Sequence, residues 1–304
     1  MANVLVGYLG PEGSFSHEAV RSLSDVEPVP FASLEDLLGA VADESVEQGL
    51  VPLENALEGT VSATIDGLVF DHDLVILQEI VLPIHLHLLA RSGVGLDDIT
   101  SVRSYVHALA QVRDFLHAKG FSSVQTTSTS QAALDVAGSS EPWAAVGSAL
   151  AGKLFGLEVV EADIEDHPDN ATRFVLVGRE RVAAPTGHDR TTIVCFQDAD
   201  RPGSLYGILG RFAARDINLT KLESRPTKRG LGDYCFVIEF EGHVADDVVA
   251  DCLADLQAHL ARVKFLGSYP VTGEGASDRR DEVGAARRSA AEWIDAIRSR
   301  VLPH

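Results

Sequence analysis

The sequence predicts an α/β chain in two parts, and three observations carry that expectation. Through the first 182 residues, apolar β-type runs alternate with helical periodicities. Those strands repeatedly end in glycine-rich or polar turns that open a helix. After a linker at Ala183-Ala184-Pro185-Thr186-Gly187 the pattern changes to βαββαβ. A chain of 304 residues is long enough for two domains.

Val4 to Leu9 reads as a buried strand running into Gly10-Pro11-Glu12-Gly13-Ser14-Phe15-Ser16. Glycine and proline end the strand, and Ser14 or Ser16 caps the helix that follows. Such a turn offers backbone N–H groups to an anion, and it fits an ordinary βα turn equally well. Its glycines do not match the GxGxxG spacing, so no dinucleotide is implied. Ser33 to Val41 reads as a capped amphipathic helix with Leu34, Leu37, Leu38 and Val41 on one face. Gly49 to Leu53 is a short strand ending in Glu54-Asn55, and Gly59-Thr60 opens a helix to about Phe70. Ligands of open α/β sheets bind at the carboxyl ends of strands, whereas by periodicity alone Asn55 is a turn former.

Two apolar runs, Leu74 to Val81 and Ile84 to Ala90, are separated by Pro83 and mark a crossing between lobes. Ser101 to Ser104 ends a short strand. His107 to Lys119 reads as one helix, with Gln111 near its second turn. Ser128-Thr129-Ser130 caps another helix, Trp143 to Gly147 is strand-like, and Ser148 opens a helix through Phe155. Val159 to Ile164 leads into a second crossing near residue 163. A polar run then ends at Asn170, and an apolar strand begins at Phe174, with Thr172 and Arg173 at its mouth. Loop-to-strand junctions are where scaffolds present chemical groups. The alternation predicts a parallel-type sheet in each lobe.

Beyond the linker the pattern gives strands at Thr191 to Phe196, Leu219 to Ser224, Asp233 to Glu241 and Val263 to Ser268. Helices are expected at Gly203 to Arg215 and Ala245 to Leu260. This order is ferredoxin-like in kind. The tail, 271–304, begins as a polar linker. Val283, Ala286, Ala290, Trp293, Ile294, Ile297 and Val301 then fall three or four apart, as on one face of a docking helix.

The formal net charge of −20 argues against nucleic acid or an anionic membrane as partner. An anionic substrate would therefore need a locally basic site, so the few arginines in clefts matter more than the global charge. No signal-peptide pattern or bilayer-length apolar run is visible, and Cys195, Cys235 and Cys252 form no CxxC pair. Reduced thiols in the cytoplasm are the expectation. No metal-ligand motif appears. No serine or cysteine nucleophile stands in a recognisable motif with a histidine base, and His85, His87, His107 and His167 read as packed or solvated.

Asn170-x-Thr172-Arg173-Phe174 resembles the signature of prephenate dehydratases. Gly10 to Ser16 resembles that family's opening motif, and Pro52-Leu-Glu-Asn-Ala-Leu-Glu-Gly-Thr-Val61 its second. Ser104 to Gln111 matches a third at its two ends, with Val106 and His107 replacing the usual Pro and Gln. Asp200-Arg-Pro-Gly-Ser-Leu205 and Leu222-Glu-Ser-Arg-Pro226 are similar to the effector motifs of phenylalanine-binding ACT domains. The resemblance covers nearly the whole chain before the tail.

It implies a two-lobed catalytic domain, like type 2 periplasmic binding proteins, over residues 1–182. Lobe one would take about 1–80 and 165–182, and lobe two about 81–164. An ACT domain would follow at 188–270. The implied reaction is dehydration and decarboxylation of prephenate to phenylpyruvate with feedback by phenylalanine, needing no metal or redox cofactor.

Thr172 would assist the leaving hydroxyl. Arg173 would clamp a carboxylate, directly or by fixing the loop. Asn55, Gly59, Thr60, Ser104, Gln111, Phe174, Ser14 and Thr129 would bind substrate. Gly203, Ser204, Leu205, Asn218, Glu223, Ser224, Arg225 and Pro226 would bind the effector between ACT domains of a homodimer or homotetramer. Arogenate dehydratase, prephenate decarboxylase and a non-catalytic amino-acid sensor are the alternatives. Glu54 matters to the first, because arogenate carries an ammonium.

Overall fold

The computed structural model describes residues 3–179, 181–197, 201–228, 230, 232–272, 293, 296, 297 and 300. The chain divides into a first unit, Met1–Ala183 with Lys264–Gly267, and a second that begins at Ala184 and takes in Ala184–Val263 and the chain from Ser268. The expected tail helix and Asp200 of the first effector motif lie outside the described residues, apart from isolated tail positions.

The first unit opens with β1 (Val4–Leu9), α1 (Phe15–Val20), β2 (Val26–Phe31), α2 (Leu34–Ala42) and β3 (Gln48–Asn55). Ser14 and Ser33 cap the two helices, their hydroxyls accepting from the N–H groups of His17 and Asp36. A two-residue strand β4 (Gly59–Thr60) folds back on β3. Then come α3 (Ser62–Asp66), a π turn at Gly67–Asp71, and β5 (Val75–Pro83). Here the chain crosses to a second sheet. It builds β6 (His87–Arg91), a 3-10 turn at Leu96–Asp98, β7 (Ser101–Tyr105), α4 (Val106–Ala110), α5 (Arg113–Lys119), β8 (Ser123–Thr126) and α6 (Thr129–Gly138). It continues through β9 (Trp143–Gly147), α7 (Ala149–Phe155) and β10 (Leu157–Glu161), and returns to the first sheet as β11 (Ala171–Gly178).

The first sheet runs β2-β1-β3-β11-β5, with β4 attached to β3, and the second runs β10-β6-β9-β7-β8. Each lobe has its own core. Val6, Tyr8, Val20, Leu50, Phe174 and Leu176 pack together in lobe one. In lobe two Leu88 and Ala90 face one layer while Leu89 faces another with Ala133 and Val136, the period-2 alternation of a strand covered on both sides.

The expectation of parallel sheets is corrected. β1 pairs parallel with β2 and β3, but β11 runs antiparallel to both β3 and β5. In lobe two β6 is antiparallel to β9 and β10, while β7 is parallel to β8 and β9. The crossing strands cause the difference, since a chain that leaves one sheet and later re-enters it comes back in the opposite sense.

The single helix expected from His107 to Lys119 is also corrected. It breaks at Gln111–Val112, where the Gln111 carbonyl accepts the Asp166 N–H at 2.7 Å. The Asp166 carboxylate in turn accepts from the Asp114 N–H at 3.2 Å, at the start of α5. A residue of the returning segment thus supplies the α5 cap, and local periodicity carries no trace of it.

In the second unit β12 (Asp189–Phe196), α8 (Ser204–Ala213), β13 (Leu219–Pro226), β14 (Tyr234–Glu241), α9 (Asp247–His259) and β15 (Arg262–Pro270) give the βαββαβ order, in a sheet β13-β14-β12-β15. This is the ferredoxin-like arrangement. Cys195, Cys235 and Cys252 are buried thiols rather than disulfides.

At the crossings, Glu165 accepts the Leu86 N–H at 2.9 Å with one oxygen, and its other oxygen lies 3.0 Å from His85 Nδ1. Burial alone would raise its pKa, but these bonds and its own backbone N–H outweigh that and hold the carboxyl below its ordinary range. A depressed carboxylate contributes stability above its unfolded pKa and loses it as pH falls through the folded value. Glu165→Gln is expected to lower stability at neutral pH by about 1–3 kcal/mol. The difference from the parent should vanish in acid, as read by denaturant melts across pH.

Candidate active site

The site is assembled by β11. Its register sets Thr172 opposite Asn55 and Arg173 opposite Glu54 on β3, then skips a residue so that Phe174 faces Pro52. Such a bulge re-aims the side chains beside it. On the other side β5 sets Leu82 against Thr172 and Val81 against Arg173.

Asn55 ends β3 and folds its chain around its own side chain. Its Oδ1 accepts the N–H groups of Leu57 and Glu58, both at 3.0 Å. This Asx-type turn leads the chain into Gly59–Thr60. Its Nδ2 lies 3.0 Å from Thr172 Oγ1, 3.1 Å from Asn170 Oδ1 and 3.3 Å from the Ala171 carbonyl. Asn170 Nδ2 then donates to Gln111 Oε1 at 3.0 Å. Thr172 and Asn55 from lobe one and Gln111 from lobe two are thereby joined through Asn170, only 2% exposed. Alongside, His107 Nδ1 lies 3.0 Å from Glu58 Oε2, between half-exposed side chains.

Arg173 does not stand open to the solvent. Its guanidinium is 3.0 Å from Glu54 Oε2 and 3.5 Å from Glu79 Oε2, and Glu79 is 1% exposed. Of the two readings of Arg173, this geometry supports fixing the strand mouth over a direct clamp, since two carboxylates already flank the cation.

Two expected substrate contacts are corrected. Ser104 is fully buried, and its hydroxyl donates to the Val146 carbonyl at 2.7 Å, tying β7 to β9. Phe174 lies in the lobe-one core with Tyr8 and Val20, because the position after the bulge turns inward. Ser14, Gly59, Thr60 and Thr129 are half-buried. Ser14 Oγ also donates to the Leu9 carbonyl at 3.2 Å, and Thr129 opens α6. Gly13 has φ +81°, and Ser148 Oγ donates to its carbonyl at 3.1 Å, tying the first turn of lobe one to lobe two. A Cβ there would meet Ser130 Oγ at 3.0 Å and the Ala151 backbone at 3.3 Å, so only glycine fits without displacement.

His85, Asp163 and Glu165 place their ligand atoms within 4.8 Å of one another at the crossings, a set that would accept a cation in principle. His85 and Glu165 are already joined by the contact described above.

In the ACT-like unit Gly203 adopts φ +86° with open space where a Cβ would stand, and Ser204 begins α8. The register pairs Phe196 with Cys235, and Cys235 with Arg225. Gly203–Leu205, which follow β12, and Arg225–Pro226 therefore lie at one end of the sheet. Glu223 lies 3.2 Å from Arg225 and 3.7 Å from Lys221. Asn218 sits at the other end, donating to Glu241 Oε1 at 3.1 Å, so within one unit it does not join the others.

Residues 6–182 match the family described as Prephenate dehydratase, and residues 191–258 match the ACT domain family. The chain belongs to the prephenate dehydratase family. A prephenate dehydratase of Mycolicibacterium vanbaalenii is 38% identical over 96% of this chain and 98% of its own. The crystal structure of a prephenate dehydratase from Arthrobacter aurescens in complex with L-Phe is 36% identical with a TM-score of 0.86, covering 97% of this chain and all of that one. GqqA, described as a novel type of quorum quenching acylase, is 29% identical with a TM-score of 0.81, covering 88% of this chain and 98% of that one.

Asn170 and Glu79 are the members of this site that the sequence reading passed over. Asn170 belongs to the same Asn-x-Thr-Arg-Phe run, where it reads as the end of a turn. Glu79 lies in an apolar strand, and a lone carboxylate there was the available signal. Arg173→Ala removes the cation between Glu54 and a nearly buried carboxylate. It is expected to lower stability by roughly 3 kcal/mol, measured by chemical denaturation, with Arg173→Lys losing less.

Proposed function

We propose that the chain converts prephenate to phenylpyruvate under feedback control by phenylalanine, with Thr172 as the group that assists departure of the ring hydroxyl. In this reaction the C–O bond at ring carbon 4 breaks and the hydroxyl takes up one proton to leave as water. The bond to the ring carboxylate breaks at the same time, CO₂ departs, and its electron pair completes the aromatic ring. The balance needs one proton and no redox partner. The protein must hold the dianion, orient the ring and donate to the leaving oxygen.

The observation that carries the proposal is the hydrogen-bonded line from Thr172 through Asn55 and Asn170 to Gln111, which gathers three separate sequence motifs at one place between the lobes. A threonine hydroxyl is a weak acid, so its contribution is a preorganised hydrogen bond to an oxygen that gains charge in the transition state. Asn55, Gly59, Thr60, Gln111, Ser14 and Thr129 form the proposed substrate surface, and Arg173 braces it.

The keto acid is favoured over its amino counterpart. Glu54, the nearest candidate to attract an ammonium, pairs with Arg173. An acylase reading, raised by the GqqA similarity, would want an activated nucleophile. The Ser14 and Ser104 hydroxyls donate to backbone carbonyls, and burial pushes the Cys195 and Cys252 thiols up to about 12 and 11. The reduced thiols fit a cytoplasmic setting.

For the effector, Gly203, Ser204, Leu205 and Glu223 to Pro226 of one ACT unit would meet Asn218 of a second copy, which accounts for its distance within one unit. A homodimer or homotetramer follows from that arrangement.

Prephenate turnover, followed as phenylpyruvate absorbance in alkali without added cofactor, tests the catalytic reading. Thr172→Ala is expected to fold normally and lose about 10²–10³ in kcat, and full turnover would remove Thr172 from its role. Phenylalanine should suppress turnover and change the elution volume on gel filtration. Ser204→Ala should weaken phenylalanine binding in calorimetry while leaving turnover without effector intact.

A further inference from the structure

Building on the catalytic reading above, we infer that Asn170 is a positioning residue. It passes the direction of a one-way amide relay, rooted at Asn55, on to Gln111, so that Gln111, like Thr172, is kept as a hydrogen-bond donor. Some groups in this line have a polarity that cannot adjust. Backbone N–H groups can only donate, and those of Leu57 and Glu58 both point at one side-chain atom of Asn55. That atom must be Oδ1. The other end of Asn55 is therefore its NH₂, and the Ala171 carbonyl that faces it can only accept, which fixes the same orientation a second time.

Everything downstream follows. An NH₂ faces Thr172 Oγ1, so that oxygen accepts, and its own proton is left to an acceptor other than Asn55. The same NH₂ faces Asn170, so the near atom is Oδ1 and the far atom is Nδ2. Nδ2 donates, so the atom of Gln111 it meets must be Oε1, and the Gln111 NH₂ is turned away from Asn170. Two backbone N–H groups on one loop of lobe one thus dictate that Thr172 and, through Asn170, the lobe-two Gln111 present hydrogens. A dianionic substrate losing hydroxide in effect needs hydrogens, so the polarity matches the reaction.

Asn170 is suited to this work because it is nearly buried and held at both backbone ends. Its N–H bonds the His167 carbonyl at 3.2 Å, and its carbonyl accepts from the Ile84 N–H at 2.8 Å. Leucine would fill the same space but break the line. A carboxylate would reverse it.

Asn170→Asp makes the test. An ionised carboxylate still accepts from Asn55, but its second oxygen also accepts, so Gln111 must turn its NH₂ inward and its Oε1 outward. A protonated carboxyl restores the original polarity, one oxygen accepting from Asn55 and one O–H donating to Gln111. The variant's kcat/KM for prephenate, divided by that of the parent, is therefore expected to be down by about tenfold at pH 8. It should recover as pH falls through the introduced group's pKa, which burial raises. The titratable and charged neighbours are the His107–Glu58 and Arg173–Glu54 pairs and Asp166 and His167 on the return segment. They are common to both proteins, which is why the ratio is read.

A merely structural role predicts a lower melting temperature and a ratio indifferent to pH. Combining Asn170→Asp with Gln111→Ala at pH 8 should cost no more than Gln111→Ala alone, because one acts through the other. A flat ratio or additive losses would overturn the relay. If the parent itself fails to turn over prephenate, the catalytic reading falls but the relay is still decided by hydrogen exchange of the Gln111 side-chain NH₂. The relay predicts fast exchange in the parent and slowed exchange in Asn170→Asp above the carboxyl pKa, and equal rates would refute it.

Discussion

After the chain has left the first sheet and passed through the second, it comes back as β11, which enters between β3 and β5 rather than at an edge. Almost everything about the site depends on that insertion. It sets the direction of β11, its register against Asn55 and Glu54, and the bulge that separates Thr172 and Arg173 from the buried Phe174. Because β11 follows the return from lobe two, the residues just before it can reach that lobe. Asn170 and Asp166 do so, one bonding the Gln111 side chain and the other its main chain. The placement of the Thr172 hydroxyl and the interlobe contacts are thus products of a single chain passage.

The electrostatics of the site follow from the same insertion. The net charge of −20 leads one to look for free cations near an anionic substrate. Yet the strand that carries Arg173 also brings it between a carboxylate from β3 and one from β5. A buried carboxylate without a counter-ion would be costly, so the arginine is held where the fold needs it. In the proposed reaction, recognition of the dianion would then rest on neutral donors, such as amide NH₂ groups, hydroxyls and backbone N–H groups. Neutral donors held in place suit that role, because fixed dipoles lose little to solvent reorganisation.

How much of this was legible depends on the range of the interaction concerned. Ser14, Ser33, Ser128 and Ser148 as caps are local, and each caps the helix it precedes. The two crossings were marked by Pro83 and by the polar run before Asn170. The βαββαβ unit was readable from period changes alone. The break at Gln111 was not, because its cause, Asp166, lies 52 residues from the helix it caps. Ser104 looked like a strand-end polar group, but sheet pairing buries it under Val146. Phe174 follows Thr172 and Arg173 in sequence, and only a bulge in the pairing with β3 turns it into the core. Whether Arg173 clamps a carboxylate directly or fixes the loop stayed open in the sequence because Glu79, its second partner, is distant in sequence and sits in an apolar strand. For Ser104 and Phe174 the missing information was a pairing register, and for Gln111 and Arg173 a partner distant in sequence, neither of which a local pattern contains.

That dependence gives the polar line between the lobes a further consequence. Its members come from β3, the return segment, β11 and the break between α4 and α5, so no lobe can form it alone. Were it only a structural bridge, any pair of complementary groups would serve, and their direction would not matter. The direction is nonetheless set at one end by two backbone N–H groups and repeated at the Ala171 carbonyl. A network whose polarity is specified twice at its root resists inversion even if a distant member rotates, because each amide can satisfy its neighbour in one sense only. The backbone of lobe one therefore decides which atoms lobe two offers to the cleft, which couples the folding of the two lobes to the chemistry between them.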